Sequence, residues 1–189
     1  GLINVVSPAG AKGVWQIMPS TGRENGLEIN QNVDERYNLE KSTEVACKYL
    51  LDAKERFGSW TLAAASYNAG KNGIARRLKS QNVSDYYDLL LNEETGRYIF
   101  RIVALKEILN HPDKYGFNYR HKDLYKPIPT YKVTLDNAVS DFVKFSQQFG
   151  INYKILKLHN PWLRESHLNN KSRKEYSIKI PKEGFYSTP

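Results

Sequence analysis

The stretch that most limits the fold is Trp60-Thr61-Leu62-Ala63-Ala64-Ala65-Ser66-Tyr67-Asn68-Ala69-Gly70. Alanine is the strongest helix former and glycine the usual stop, so residues 60–69 read as a helix closed by Gly70. Side chains this short cover little surface, so another element must pack closely against the helix. Just before the stop, Tyr67 and Asn68 place two hydrogen-bonding tips together beside a turn. An alanine helix meant only for packing has no need of them there.

A second unusual stretch precedes it, Ser7-Pro8-Ala9-Gly10-Ala11-Lys12-Gly13-Val14-Trp15-Gln16-Ile17-Met18-Pro19. Gly10 and Gly13 permit a tight turn and close approach of other groups to the backbone. Gln16 offers both a donor and an acceptor in a run that is otherwise apolar. Taken alone, Val14, Trp15, Ile17 and Met18 read as the start of a core helix, and the whole stretch as a loop feeding a helix. A third piece, Glu94-Thr95-Gly96-Arg97-Tyr98, opens the next long helical pattern.

The three pieces in this order resemble the lytic transglycosylases of bacterial cell walls, with the nearest likeness to their membrane-bound D type, over about residues 1–118. The resemblance implies a mainly α protein with a lysozyme-like helical transglycosylase domain. Members of the family carry a Glu-Ser pair several residues before the Ser-x-x-Gly-Ala motif, and that Glu is the catalytic acid. Gly1 to Ser7 then reads as the segment directly following the pair, and the chain as given is expected to be inactive. By the same resemblance Ser7 lies beside the catalytic Glu, and Tyr67 hydrogen-bonds its carboxyl and helps hold it protonated. Gln16 and Met18 line the floor of a glycan groove, Met18 presenting an adaptable apolar surface to an acetamido methyl. Asn68 supports the loop or the ligand, and Glu94 and Tyr98 stand near the substrate. Plain structural roles compete: Glu94 as a stabilising charge at a helix N-terminus, Asn68 as a residue comfortable near a helix end.

The implied reaction cleaves the β-1,4 bond between N-acetylmuramic acid and N-acetylglucosamine and leaves a 1,6-anhydro end. Peptidoglycan strands are then the partner and the bacterial envelope, on its periplasmic side, the location, with any lipid anchor outside this chain. Two other readings stay open, a goose-type lysozyme that hydrolyses and a non-catalytic wall-binding protein.

Composition adds limits. Lys and Arg outnumber Asp and Glu by 28 to 20, a formal net charge of +8. That balance suits nucleic acid, an anionic membrane surface or carboxylate-bearing glycan alike. The basic residues are scattered and form no nucleic-acid motif, so no nucleic-acid partner is expected. Cys47 is the single cysteine, which excludes a disulfide framework and reads as a small buried hydrophobe. His111, His121, His159 and His167 lack ligand spacing, so neither a metal nor a cofactor is expected. No apolar run reaches membrane-spanning length. A monomer is expected.

Along the rest of the chain, a helix ends near Asn25-Gly26 and residues 27–39 read as a loop. Ala46, Leu50, Ala53 and Phe57 mark a helix capped by Ser42 or Thr43 and ended by Gly58. Asn72-Gly73 predicts a turn, Ile74 to Lys79 a short basic helix and Asp85 to Leu89 another. Glu93 to Leu109 is the clearest helix, with Ile102, Leu105 and Leu109 expected in the core. His111-Pro112 closes it and residues 119–129 read as a linker. Beyond that, Tyr131 to Leu135 alternates like a strand, Val139 to Phe149 and Tyr153 to Leu158 are helical, and Tyr176 to Pro181 alternates again. This small α+β (βααβ) domain over residues 130–189 resembles the LysM glycan-binding module. It departs from it in carrying Asp136-Asn137 where the family places Gly-Asp, and in the long polar stretch from Leu163 to Glu175.

Overall fold

The computed structural model describes residues 4–186. Residues 1–3, read above as part of the segment after a Glu-Ser pair, and residues 187–189 lie outside the described residues. In chain order the α-helices are α1 Pro19–Glu24, α2 Leu39–Phe57, α3 Trp60–Ala69, α4 Lys71–Gln81, α5 Glu93–Asn110, α6 Phe142–Gln147 and α7 Tyr153–His159. Strands β1 Thr130–Leu135 and β2 Tyr176–Pro181 form one antiparallel pair, with Val133 opposite Ile178. The fold is mainly helical, as the sequence implies. Contacts divide the chain into two compact units, residues 47–125 and residues 1–46 together with 126–189.

In the unit of residues 47–125, α3 is the centre against which α4 and α5 pack. Its inner face is Leu62, Ala63, Ala65 and Ser66, all buried, so the alanine run serves close packing as its composition requires. Ser59 caps the start of α3, and Gly70, at φ +79°, breaks the chain at once into α4. The break therefore comes earlier than the turn expected at Asn72-Gly73, which instead lies inside the first turns of α4. Asp85 to Leu89 is a turn rather than a helix, because the Asp85 carboxylate accepts from the Tyr87 amide at 2.9 Å and competes with helical bonding. The expected core stripe of α5 also fails: Ile102, Leu105 and Leu109 are 42%, 61% and 71% exposed, whereas Ile99 is buried. The cluster of Leu62, Ala65, Ile74, Tyr86 and Leu89 takes only Ile99 and Tyr98 from α5, so the later turns of this helix have no core to face. Cys47, on α2, is exposed rather than buried.

In the other unit, residues 4–18 form no helix, and α1 starts only at Pro19, so Val14 to Met18 do not begin one. The cap of α2 is Asn38, whose carbonyl oxygen on the side chain accepts from the Lys41 amide at 3.1 Å. Ser42 and Thr43 lie a turn further on and donate back to the Leu39 carbonyl. Residues 27–38 are irregular except for a 3-10 turn over Glu35–Tyr37, yet Asn32 to Tyr37 are all buried. Their cover is the βααβ part. Val33 and Tyr37 join Phe142, Leu156, Trp162, Leu163, Leu168, Tyr176, Ile178 and Ile180 in one core. α6 is shorter than the sequence suggests, because Val139 pairs with Leu168 through two backbone bonds and Asp141 then caps the helix. Asn160 ends α7 and ties it to β2: its amide donates to the carbonyls of Leu156 and Lys179, and its oxygen accepts from the Lys179 amide.

Candidate active site

The residues singled out in the sequence fall into two groups, one in each unit. Ser7, Gln16 and Met18 lie on the loop of residues 4–18. That loop is folded back on itself: Lys12 and Ile17 exchange backbone bonds at 3.2 and 3.1 Å, and Gly13 donates to Val5 at 3.2 Å. Ser7 closes its tip, accepting from the Ala11 amide at 3.0 Å through Oγ. The hydroxyl proton of Ser7 is still available to donate to a second group. Gln16 adopts φ +50°, unusual for a side chain with a Cβ. Its Nε2 donates to the Gly13 carbonyl at 2.8 Å and to that of Val5 at 3.3 Å, so the amide nitrogen locks the loop. Met18 precedes α1 and is 39% exposed.

This loop has an anchor that the sequence did not disclose. The guanidinium of Arg36 donates through one nitrogen to the carbonyls of Gly10 (2.9 Å) and Ile17 (3.2 Å). Its other edge grips Asp34 in a bidentate pair at 2.9 and 2.8 Å, and Lys12 adds a contact to Asp34 at 3.4 Å. Both side chains of the pair are buried. Burial works against the charge on Asp34, but the bonds and charge of Arg36, with Lys12, outweigh it and hold the carboxyl below its ordinary range. Gly13 sits so close that a Cβ there would lie 2.1 Å from the Arg36 carbonyl oxygen.

The second group lies where α3 ends and α5 begins. The Tyr67 ring meets the edge of Tyr49 at 5.3 Å, and Tyr49 in turn donates to the Ser66 carbonyl at 2.8 Å and accepts from the Lys71 amide. Burial, with Tyr98, Tyr49 and Cys47 nearby, raises the Tyr67 pKa well above the usual phenol value, so its hydroxyl keeps its proton at every physiological pH. Burial raises Tyr98 in the same direction. The amide of Asn68 is fixed from both ends: Thr95 Oγ1 donates to its oxygen at 2.8 Å, and its nitrogen donates to Glu94 Oε1 at 3.1 Å. Thr95 is buried and its own amide is capped by Asn92, so Asn68 is held by a rigid support. Glu94 thus stands in the first turn of α5, as expected of a charge at the helix N-terminus, and also orients Asn68. Thr95 stood within the quoted Glu94-to-Tyr98 piece without a role; its place one residue after Glu94 was the available signal. Among the described residues, no cluster of His, Cys, Asp and Glu could hold a metal ion.

Two stretches of the chain match known families. Residues 2–90 match the transglycosylase SLT domain, and residues 131–184 match the soluble lytic transglycosylase C-terminal LysM-like domain. The chain therefore carries an SLT transglycosylase domain followed by a LysM-like C-terminal domain. It is similar to the membrane-bound lytic murein transglycosylase D of Escherichia coli strain K12, with 31% identity over 185 residues, 95% of this chain. The same figures hold for the protein of that name in Escherichia coli O6:H1. The chain spans 40% of the length of these relatives.

Proposed function

We propose that the chain supplies the substrate groove of a peptidoglycan lytic transglycosylase, which cuts between N-acetylmuramic acid and N-acetylglucosamine and closes a 1,6-anhydro ring. The observation that carries this reading is the group at α3 and α5, in which Tyr67 is kept protonated and Asn68 is fixed between Thr95 and Glu94. A phenol that stays neutral can accept the proton of a carboxylic acid through its oxygen and donate to the carboxylate once that proton is delivered. In the family's chemistry one glutamate gives that proton to the leaving oxygen and then accepts one from the muramic acid C6 hydroxyl as this attacks C1. Because the nucleophile belongs to the substrate, effective concentration offsets about 7–11 kcal/mol of the barrier, and no second carboxylate is needed.

Ser7, Gln16 and Met18 are proposed as groove residues on the loop, with Ser7 next to the acid, and Asn68, Glu94 and Tyr98 as substrate contacts. The acid itself belongs, by resemblance, to a Glu-Ser pair upstream of Gly1. The proposed domain division is 1–118, a 119–129 linker and 130–189, and the two family matches fall on either side of that linker. Peptidoglycan strands are the proposed partner and the bacterial envelope, on its periplasmic side, the proposed location, supported by the names of the two relatives. Attachment to the outer membrane is proposed to run through a lipid anchor outside this chain, and the state in solution is proposed to be a monomer. Among the described residues no helix is long and apolar enough to cross a membrane.

The test is product analysis. Purified peptidoglycan is digested with a protein that includes the Glu-Ser pair, and the fragments are weighed by mass spectrometry. Anhydro ends, lighter by one water than reducing ends, support the reading. Reducing ends alone would mean a goose-type lysozyme, and strands bound but uncut a wall-binding protein.

A further inference from the structure

We infer that the LysM-like part serves as a brace for the groove loop, with Arg36 as the positioning residue through which it acts. The inference extends the proposed function to residues outside the family motifs, although its geometric basis does not depend on that function. The loop of residues 4–18 buries Ala11 and Ile17 among its hydrophobic residues; Ile17 clusters with Leu27 and Val45, and Trp15 packs against them and donates to Thr43 Oγ1 at 2.7 Å. Arg36 adds a polar tie to this packing, taking the Gly10 and Ile17 carbonyls with a single nitrogen.

Arg36 is in turn set by the βααβ part. The Asp34 amide donates to the Trp162 carbonyl at 2.9 Å, and the Arg164 amide donates to the Asn32 carbonyl at 2.8 Å. Asn32 Oδ1 accepts from the Asn169 amide at 3.0 Å, and Val33 bridges to Leu163. The Arg164 guanidinium lies 4.1 Å from the centre of the Tyr37 ring. A little earlier in the chain, Glu28 accepts from Tyr176 at 3.0 and 3.1 Å and pairs with Lys174. Asp34 and Arg36 thus lie between Asn32 to Val33 on one side and Tyr37 on the other, each of which has partners beyond residue 130. A loosened module has to loosen the loop that presents Ser7, Gln16 and Met18. The region from 161 to 170 is also committed to the protein's own chain at these contacts, which suits bracing better than capture of a separate ligand there.

Hydrogen exchange on the whole chain tests the inference without reference to catalysis. Arg36→Lys keeps a charge but loses the fork that spans Asp34 and the two carbonyls. About tenfold faster exchange is expected at the amides of Ala11, Lys12 and Ile17, with α3 and α4 unchanged. Asn32→Ala, remote in contact from the loop, is expected to speed the same amides while leaving β1 and β2 protected. Unchanged loop exchange in Asn32→Ala would overturn the brace, and unchanged exchange in Arg36→Lys would remove Arg36 from it. Global loss of protection in either variant would mean that the contacts merely hold the fold, and would equally overturn a positioning role. In a protein carrying the catalytic pair, Arg36→Lys is expected to raise KM for glycan more than it lowers kcat. If that protein cuts no glycan, the proposed function fails while the exchange result stands.

Discussion

Replacing Gly13 by alanine should be the most damaging single-methyl change in the loop, and its cost can be built from the geometry. Gly13 has φ +77°, and the added Cβ would lie 2.1 Å from the Arg36 carbonyl oxygen and 3.1 Å from its carbon. Holding an L-residue at positive φ costs about 1–2 kcal/mol. The neighbour is backbone and cannot swing aside, so overpacking adds about 1–3 kcal/mol. The sum, about 2–5 kcal/mol, is a large share of the ~5–15 kcal/mol that holds a domain together. Gly10 is the internal control: φ is +86°, with nothing within 4 Å of an added Cβ, so Gly10→Ala carries only the strain of about 1–2 kcal/mol. Gly22→Ala crowds the movable tip of Ile29 at 2.7 Å, with Arg36 and Ile17 at an ordinary 3.6 Å, and gains about 1 kcal/mol of helix propensity, so it should be close to neutral. Thermal melts read the ranking, at about 2–4 °C per kcal/mol for a chain of this size. Equal midpoints for Gly13→Ala and Gly10→Ala would show that the loop does not press on Arg36, and the anchoring argument would fail with it.

Asn160→Ala should cost about 2–5 kcal/mol, because it leaves the Lys179 amide and carbonyl without their partner next to the core; a melt unchanged from wild type would deny Asn160 that role. Acid should weaken the unit that contains Glu28 and Asp34. Burial raises the pKa of each carboxyl, but for Glu28 the bonds of Lys174 and Tyr176, and for Asp34 those of Arg36, leave it below its ordinary 4.5 or 3.8. A pKa lowered by folding gives stability that is complete above the ordinary value and is lost as pH falls through the folded one. Melting temperature should therefore drop below about pH 4, less so in a Glu28→Gln, Asp34→Asn double variant if that variant folds. Thr95→Val keeps volume but frees the Asn68 amide, and should cost about 1 kcal/mol of stability while weakening affinity for N-acetylglucosamine oligomers; unchanged affinity in calorimetry would take Asn68 out of the groove.

Much of the helical framework could be read directly, because its signals are local. Gly70 after Ala69 acts within a turn of where it stands in sequence, as do Ser59 and Asn152, the caps that the structure places at the starts of α3 and α7. The errors have local causes too. Asn38 outcompetes Ser42 and Thr43 because it stands where the helix amides are still unpaired, and the Asp85 carboxylate takes an amide that a helix would need. The stripe on α5 failed for a different reason. Apolar spacing shows that Ile102, Leu105 and Leu109 share a face, but not whether anything covers that face, and the core ends near Ile99.

The candidate site divides along the same line. Tyr67, Asn68, Glu94 and Tyr98 stand out in sequence because each belongs to a short run at a helix end. Arg36 acts on carbonyls 26 and 19 residues before it, and Asn32 answers an amide 137 residues after it. Residues 27–38 carry little periodicity, so they read as a loop, and only burial of Asn32 to Tyr37 reveals that they are the joint between two distant stretches. A buried, bidentate Arg–Asp pair is weak evidence for net stability, since desolvation consumes most of what the attraction supplies. Its value here is geometric: the fork fixes where two carbonyls sit, as a greasy substitute could not. The pair is therefore better understood through the shape it imposes on Gly10 and Ile17 than through any energy it adds.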